Sequence, residues 1–204
     1  MKRTAFSLIF ACCMLAMAAQ DVVKVKYQGA KPTITHFVQA LVNTRAKAEV
    51  IDCDEAGNAF DRAWNRHCKG LPQEKGETFT VDQKNGYVRY ESKHEEHTLV
   101  IEMCYWNEAD GKHRLVAYNV ASYFNGKYST GQYDGLDFYR YNNATRTMTR
   151  TQDVGFEVEY YSEDGARVSY DLPRSGKNIT KKSWYDDGRI VSNTLKWQGR
   201  RFTR

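Results

Sequence analysis

Six Asn-Gly or Asp-Gly pairs after residue 77 constrain the fold of this chain more than any other feature. They are Asn85-Gly86, Asp110-Gly111, Asn125-Gly126, Asp134-Gly135, Asp164-Gly165 and Asp187-Gly188. Such pairs supply the positive φ angles that tight hairpin turns require. The runs between them are short and rich in aromatic and β-branched residues, which favour strands. The pattern therefore predicts an antiparallel meander over residues 77–202.

We expect the meander to contain ten strands. Their ranges are 77–82, 87–92, 98–106, 114–124, 136–142, 146–151, 156–161, 167–172, 179–185 and 189–197. An imperfect repeat with an offset of 23 residues aligns 161–165 with 184–188. A propeller or solenoid needs more than two units. We therefore interpret the two copies as consecutive hairpins of one sheet.

Two helices are predicted before the meander, within residues 31–70. The apolar stripe of the first consists of Ile34, Phe37, Val38, Leu41 and Val42. That of the second consists of Ala56, Ala59, Phe60, Ala63, Trp64 and His67. Both stripes have the spacing of one helix face. Pro32 and Thr33 suit the start of the first helix, Asp54 suits the start of the second, and Gly70 with Pro72 suits its end.

These elements predict an α+β fold, with the two N-terminal helices packed on one face of a large, twisted antiparallel β-sheet that curls toward a half-barrel. A closed, lipocalin-like barrel is the alternative architecture. The 14 Tyr, 9 Phe and 4 Trp, with only 3 Pro, are typical of a folded chain. We expect a single domain over residues 20–204, helical at 31–70 and a meander at 77–202.

Residues 1–19 have the build of a secretory signal peptide. A basic pair at 2–3 precedes an apolar run at 4–15, and small residues follow at 16–19. Cleavage is expected after Ala18 or Ala19, which would place the mature protein in the periplasm or outside the cell. A transmembrane helix needs about 20 apolar residues. We therefore expect no transmembrane segment after cleavage.

Five cysteines occur, of which Cys12 and Cys13 lie in the expected signal peptide. A lipoprotein processed at either one is the rival interpretation, but the apolar run continues past both. The remaining three leave one thiol free or intermolecular. Cys53 and Cys68 bracket the second helix, about 20 Å apart, which exceeds disulfide reach. If a disulfide forms, Cys104 should pair with Cys53 or Cys68.

The end of the chain is strongly basic. Residues 174–204 hold nine basic residues against Asp186 and Asp187, a net charge of +7. Such a segment could attach to an anionic envelope surface of lipid or acidic polysaccharide. The plainer interpretation is a set of solvent-facing lysines and arginines on two hairpins. Since export is expected, nucleic acid is not an expected partner.

Local catalytic motifs give little guidance. No G-x-S-x-G elbow, P-loop or Rossmann glycine pattern occurs. His94 and His97 lie between two predicted strands, so a charged hairpin loop is favoured over a metal site, and we expect neither metal nor cofactor. Cys104 is expected to be a buried hydrophobe. Glu102, alone in an apolar strand, is expected to be a paired core acid or solvated, with a functional role as the alternative.

Tyrosines of the middle strands are the candidate binding residues. Strand alternation places Leu136 and Phe138 on one face and Tyr139 and Tyr141 on the other. An exposed row of tyrosines would stack on a sugar or a peptide, because Tyr has an apolar face and a polar tip. The candidates are Tyr133, Tyr139, Tyr141, Trp184 and Trp197. Structural aromatics of a thin core are the alternative.

Three stretches carry a resemblance to a known group of proteins. They are Cys104-Tyr105-Trp106-Asn107, the run Tyr133-Asp134-Gly135-Leu136-Asp137-Phe138-Tyr139, and Leu172-Pro173-Arg174-Ser175-Gly176-Lys177 with Leu195-Lys196-Trp197. In these the chain resembles uncharacterised exported proteins of Bacteroidetes-type bacteria. The resemblance covers most of the region after the helices, and it implies export but no activity or site residue.

The sequence thus predicts an exported protein of unknown activity, a non-enzymatic module that binds a ligand or associates with the envelope. The alternative is a hydrolase whose acid and base carboxylates come from separate strands. A cleft with two converged carboxylates would favour the hydrolase. An open aromatic face would favour binding.

Overall fold

The computed structural model describes residues 22–47 and 55–204. The expected signal peptide, Cys53 and Asp54 lie outside these described residues. The helices are α1 (Ile34–Lys47) and α2 (Glu55–Cys68). The strands are β1 (Val22–Lys24), β2 (Glu77–Asp82), β3 (Tyr87–His94), β4 (His97–Asn107), β5 (His113–Phe124), β6 (Lys127–Tyr128), β7 (Gly135–Asn142), β8 (Thr147–Arg150), β9 (Arg167–Asp171), β10 (Ile179–Trp184), β11 (Ile190–Trp197) and β12 (Phe202–Thr203).

The strands form two antiparallel sheets. The larger, of eight strands, has the order β1-β8-β7-β5-β4-β3-β2, with β6 paired to β5. The smaller has the order β12-β11-β10-β9. The α+β class with a large antiparallel sheet is confirmed. The alternative of a closed barrel is wrong, because the two end strands β1 and β2 do not pair with each other.

The expectation of a single sheet is also wrong, because no strand joins β8 to β9. The predicted strand at 156–161 is irregular chain, apart from a bridge between Tyr161 and Arg167. The Glu159 N–H donates to the Tyr170 hydroxyl at 2.9 Å instead of to a neighbouring backbone. Strands β9 to β12 therefore belong to a separate sheet.

The Asx-Gly pairs act as turns at five of their six positions, where the glycine has a positive φ. Asn125 and Gly126 both have positive φ angles, of 49° and 74°, as a type I′ hairpin turn requires. Asp134-Gly135 is the exception. The Asp134 carboxylate accepts bonds from the Ser122 N–H at 2.8 Å and its hydroxyl at 2.7 Å. This long-range contact makes the pair the entry to β7 and not a hairpin turn.

The start of α1 and the end of α2 lie where their local chemistry predicts. The Thr33 N–H donates to His36 Nδ1 at 2.9 Å, so a histidine occupies the usual Glu or Gln position of a capping box at the start of α1. After α2, the Leu71 N–H reaches the Arg66 carbonyl and the Gly70 N–H reaches the His67 carbonyl, both at 3.0 Å. With φ of 65° at Gly70, this is a Schellman ending.

Two hydrophobic cores use opposite sides of the central strands. The first core joins residues of both helices, such as Phe37 and Phe60, to sheet residues such as Ile101. The second joins Cys104 and other sheet residues to the smaller sheet, including Ile179. Because successive residues of a strand face opposite sides, β4 contributes to both cores. This is why β4 carries a long apolar run rather than an alternating pattern.

The 23-residue repeat is structural. The pairing of Tyr161 with Arg167 recurs as the pairing of Trp184 with Ile190. The turn bond from the Gly165 N–H to the Ser162 carbonyl recurs 23 residues later, from Gly188 to Tyr185. The same offset relates Phe156, Ile179 and Phe202, all in or against the second core. The repeated unit thus supplies one core residue each time.

Candidate binding groove

A groove lies beside the first half of β7, and we call it the β7 groove. Its volume is about 430 Å³. One wall is formed by residues 136–138 of β7, and the other by the last residue of β8 and the chain that follows it, from Arg150 to Tyr160. Its size is that of a small-ligand site, for which about 300–1,000 Å³ is typical.

The groove exists because β8 stops early. The last residue of β8, Arg150, pairs with Tyr139, and the Thr151 N–H then donates to the Phe138 carbonyl at 2.9 Å. Beyond this point the chain leaves β7 for the smaller sheet, where the Phe202 N–H donates to the Val154 carbonyl at 2.7 Å. Within residues 22–47 and 55–204, the start of β7 therefore has no strand beside it on this side.

A glycine allows the second wall to approach β12. Gly155 has a φ of 90°, in the region that favours glycine. A Cβ at this position would lie 2.2 Å from the Phe202 carbonyl oxygen. The close approach fixes the course of the chain between Val154 and Phe156.

The groove has an aromatic lining. The rings of Phe138 and Phe156 meet edge to face, with centroids 5.9 Å apart. Tyr160 stands at one end and is 47% exposed. A Cβ on Gly135 would lie 3.2 Å from the Tyr160 hydroxyl, so this tyrosine lies against the start of β7. One ring of the groove is thus available to a ligand, above a floor of packed rings.

The polar groups of the groove are few. Asp137 of β7 forms an ion pair with Arg150, the last residue of β8. Glu157 is exposed on the opposite wall, and Gln152 adds an amide. Acceptors and donors thus surround an apolar floor, which is the usual composition of a ligand site.

The five predicted binding residues are not brought together. Tyr133 is 43% exposed but does not line the β7 groove. Tyr139 packs against the first core, and Tyr141 is fully buried in it. The Tyr141 hydroxyl donates to the Tyr27 hydroxyl at 3.1 Å, and its ring lies 5.1 Å from that of Phe37. Tyr141 therefore belongs to no exposed tyrosine row.

The two predicted tryptophans lie in separate aromatic groups. The Trp184 Nε1–H donates to the Ser169 hydroxyl at 2.8 Å, and its ring is 6.2 Å from that of Tyr128. Trp197 lies at the other end of β11, 5.0 Å from the Phe202 ring.

Sequence reasoning missed Tyr160 because it assigned 156–161 to a strand. The pair of adjacent tyrosines, Tyr160 and Tyr161, was the sequence feature that indicated an aromatic residue on each side of this segment.

Glu102 is a paired core acid, one of the two structural outcomes expected. It is 5% exposed and accepts bonds from the Tyr87 hydroxyl at 2.5 Å, Arg89 Nη1 at 2.9 Å and the Leu172 N–H at 3.0 Å. Burial, reinforced by the Glu102 charge, raises the pKa of Tyr87. With these three donors, Glu102 holds strands together and is not open to a substrate.

The histidine loop is a turn, as predicted. His94 and His97 face each other across the β3–β4 hairpin, and Glu95 between them has a φ of 53°.

A second group, at the β4–β5 turn, brings ligand atoms of Glu108, Asp110 and His113 within 4.8 Å of one another. The Arg140 Nε–H donates a hydrogen bond to the Glu108 carboxylate at 2.7 Å. A hydrogen bond from His113, with further bonds from backbone N–H groups, lowers the pKa of Asp110 to about 2. This second group is therefore a hydrogen-bonded turn.

Of the two pairings expected if a disulfide forms, the structure does not contain the one between Cys104 and Cys68, and the one with Cys53 lies outside the described residues. Cys68 and Cys104 are both free, the first exposed and the second buried. Cys104 lies in the second core, whereas residues of α2 join the first core. A bond between the two would have to cross the sheet. Burial raises the pKa of the Cys104 thiol well above its ordinary value, which keeps it in the unreactive thiol form.

Part of the basic C-terminal charge is offset by acids from several parts of the chain. Seven of the nine basic residues form ion pairs, with Asp82, Asp153, Glu159, Asp171 and Asp187 as partners. Asp153 alone receives Arg140, Arg200 and Arg201. Attachment to an anionic surface stays a prediction, and these pairs leave less free charge for it than the count of +7 implies.

Comparison with known proteins found no match to a protein-family model, to a curated protein or to a solved structure. The resemblance to exported proteins of Bacteroidetes-type bacteria therefore stays a prediction. Neither described helix has the length and apolar character to cross a membrane.

Proposed function

We propose that this protein is a non-enzymatic binding module that acts outside the cytoplasm and holds an oligosaccharide in the β7 groove. The observation that carries the proposal is the exposed Tyr160 ring above the Phe138 and Phe156 floor. A sugar ring can stack on such an aromatic face, and its hydroxyls need nearby polar partners. Asp137, Gln152 and Glu157 supply those partners.

The hydrolase alternative has less support at this site. A glycosidase needs one carboxyl to give a proton and a second to act as base or nucleophile. Of the acids lining the β7 groove, Asp137 already has a cationic partner, because it forms an ion pair with Arg150. We therefore assign Asp137 and Glu157 to ligand contact and expect no turnover.

We also infer that the two helices cover the side of the large sheet opposite the β7 groove. Phe37 of α1 lies 5.5 Å from the Tyr105 ring, and Phe60 of α2 lies 6.1 Å from the Tyr118 ring, both on the first-core side. Phe138 of the groove floor lies on the second-core side. The helices would then leave the groove open to ligand.

An array of neutral soluble oligosaccharides tests the function. The purified protein should bind at least one class of sugar, and mass spectrometry should recover that sugar uncleaved. A failure to bind any oligosaccharide would contradict the proposal. Recovery of a shortened sugar would replace it with the hydrolase.

The location has a separate test, because it depends on the pattern of residues 1–19 and not on the groove. Intact-mass analysis of protein recovered from the producing cell should give a chain that starts at Ala19 or Gln20. A product that keeps Met1, or that carries lipid on Cys12 or Cys13, would contradict export by this route.

A further inference from the structure

A second groove lies between β1 and α1, at one edge of the large sheet, and we call it the β1 groove. Its volume is about 510 Å³. Val22, Lys24 and Lys26 line it from the strand side. The helix side presents His36, Gln39, Ala40, Asn43 and Thr44, which recur at the spacing of one helix face.

The strand side of the β1 groove is an open sheet edge. Among the strands that the structure describes, β1 ends the order of the large sheet and pairs only with β8. Just beyond it, the Val25 N–H donates to the Arg146 carbonyl at 2.9 Å, toward β8. The backbone groups of neighbouring residues in a strand point to opposite edges. The N–H and C=O groups of Val22 and Lys24 therefore point away from β8, along the free edge.

The helix side is held in place by its own hydrogen bonds. The Gln39 side-chain oxygen accepts the Trp64 Nε1–H at 2.9 Å, and its amide donates to Asn43 Oδ1 at 2.9 Å. The Thr44 hydroxyl donates to the Ala40 carbonyl at 2.8 Å. A fixed polar wall thus faces the free edge, and an incoming chain would find a preformed slot.

The charge at this edge has one sign. Lys24 and Lys26 lie two residues apart, so both side chains belong to one side of the strand. Neither forms an ion pair with another residue in the ranges that the structure describes. Lysines at an edge oppose pairing with a like edge, since facing like charges destabilise a strand pair. The same lysines would favour a strand that carries carboxylates.

We propose that the β1 groove binds an extended acidic peptide, which adds to β1 as a further strand and sets its carboxylates against Lys24 and Lys26. Backbone bonds to Val22 and Lys24 would supply affinity, and alternate acidic side chains would supply specificity. A second copy of this chain is a poor occupant, because it would bring the same lysines to the edge. This binding is independent of the proposed sugar site.

The probe is a fluorescein-labelled heptapeptide of alternating Glu and Val, with a Lys-Val peptide as its matched control. Fluorescence anisotropy should show saturable binding of the Glu peptide alone. Lys24→Ala should weaken binding about fivefold through lost charge. Lys24→Pro removes the edge N–H as well, and should weaken binding about tenfold further. Proline is tolerated on edge strands, and circular dichroism checks the fold.

Three binding results would overturn the proposal. They are no binding of the Glu peptide, equal binding of the Glu and Lys peptides, and a Lys24→Pro affinity no weaker than that of Lys24→Ala. If Lys24→Pro does not fold, Val22→Pro removes the neighbouring edge N–H and is judged against Val22→Ala in the same way. Dimerisation seen by light scattering and lost in Lys24→Pro would assign the edge to a second copy.

Discussion

The Glu102 carboxylate accepts a hydrogen bond from the Leu172 N–H at 3.0 Å, and this bond ties the centre of the large sheet to the end of β9 in the small one. Tyr87 and Arg89 bind the other oxygen of the same carboxylate. One buried acid therefore satisfies donors from both sheets. Its two oxygens are therefore satisfied by protein donors.

Glu102→Gln should destabilise the protein by about 2–4 kcal/mol, because a buried charged acceptor is replaced by an amide that cannot satisfy all three donors. The free energy of unfolding in urea measures the loss. Glu91→Gln is the matched control, since Glu91 also pairs with Arg89, at 2.7 Å, but its side chain is 20% exposed. That change should cost less than about 1 kcal/mol. Equal losses would contradict the role given to Glu102.

Gly155→Ala should destabilise the protein by about 3 kcal/mol or more, because the new Cβ combines an unfavourable φ with a collision against the Phe202 carbonyl. Gly165→Ala separates the two causes. Gly165 has a φ of 81°, but nothing lies within 4 Å of an added Cβ. We expect about 1 kcal/mol there from backbone strain alone. Urea midpoints that fall equally in both variants would show that the wall of the β7 groove does not depend on this close approach.

Alkaline pH should unfold the protein through its buried tyrosines. Burial raises the pKa of Tyr123 and of Tyr170 to about 12, against about 10 in an unfolded chain. Because the folded pKa is the higher one, this stability is complete below about pH 10 and is lost as pH rises through about 12. Tyrosinate absorbance of Tyr170→Phe should show one phenol fewer in the late phase. A late phase of unchanged amplitude would contradict the assignment.

The turns could be predicted from sequence where their chemistry is local. Asn125-Gly126 forms its turn because two consecutive positive φ angles are cheapest for these residues. Asp134-Gly135 has the same local signal, but a distant residue, Ser122, binds the aspartate. No pattern of neighbours reveals that bond. The alternation of β7 side chains between the two faces of the sheet was also predictable, since it depends only on the two-residue period of a strand.

The division into two sheets could not be predicted, because it depends on which strands find partners. Residues 156–161 look like a strand in sequence, yet β8 ends at Arg150 and the chain departs toward β12. The same departure creates the β7 groove and exposes Tyr160. Tyr141, in contrast, fits the sequence pattern of a binding residue, but Phe37 of α1 packs against its ring. Exposure of an aromatic residue is thus decided by tertiary packing.

Tyr160 is the residue on which the central claim depends, and Tyr161 is its natural control. Tyr161 is its chain neighbour and is 59% exposed, but it does not line the β7 groove. A stacked ring contributes about 0.5–1.5 kcal/mol beyond its buried area. We therefore expect Tyr160→Ala to weaken sugar binding by about tenfold or more, and Tyr161→Ala to change it by less than about twofold.

Isothermal titration calorimetry with the best-bound oligosaccharide measures this most directly. The account predicts one site per chain in the wild type, a dissociation constant raised about tenfold or more in Tyr160→Ala, and one almost unchanged in Tyr161→Ala. An affinity that Tyr160→Ala leaves unchanged, or that both variants reduce equally, would contradict binding in the β7 groove.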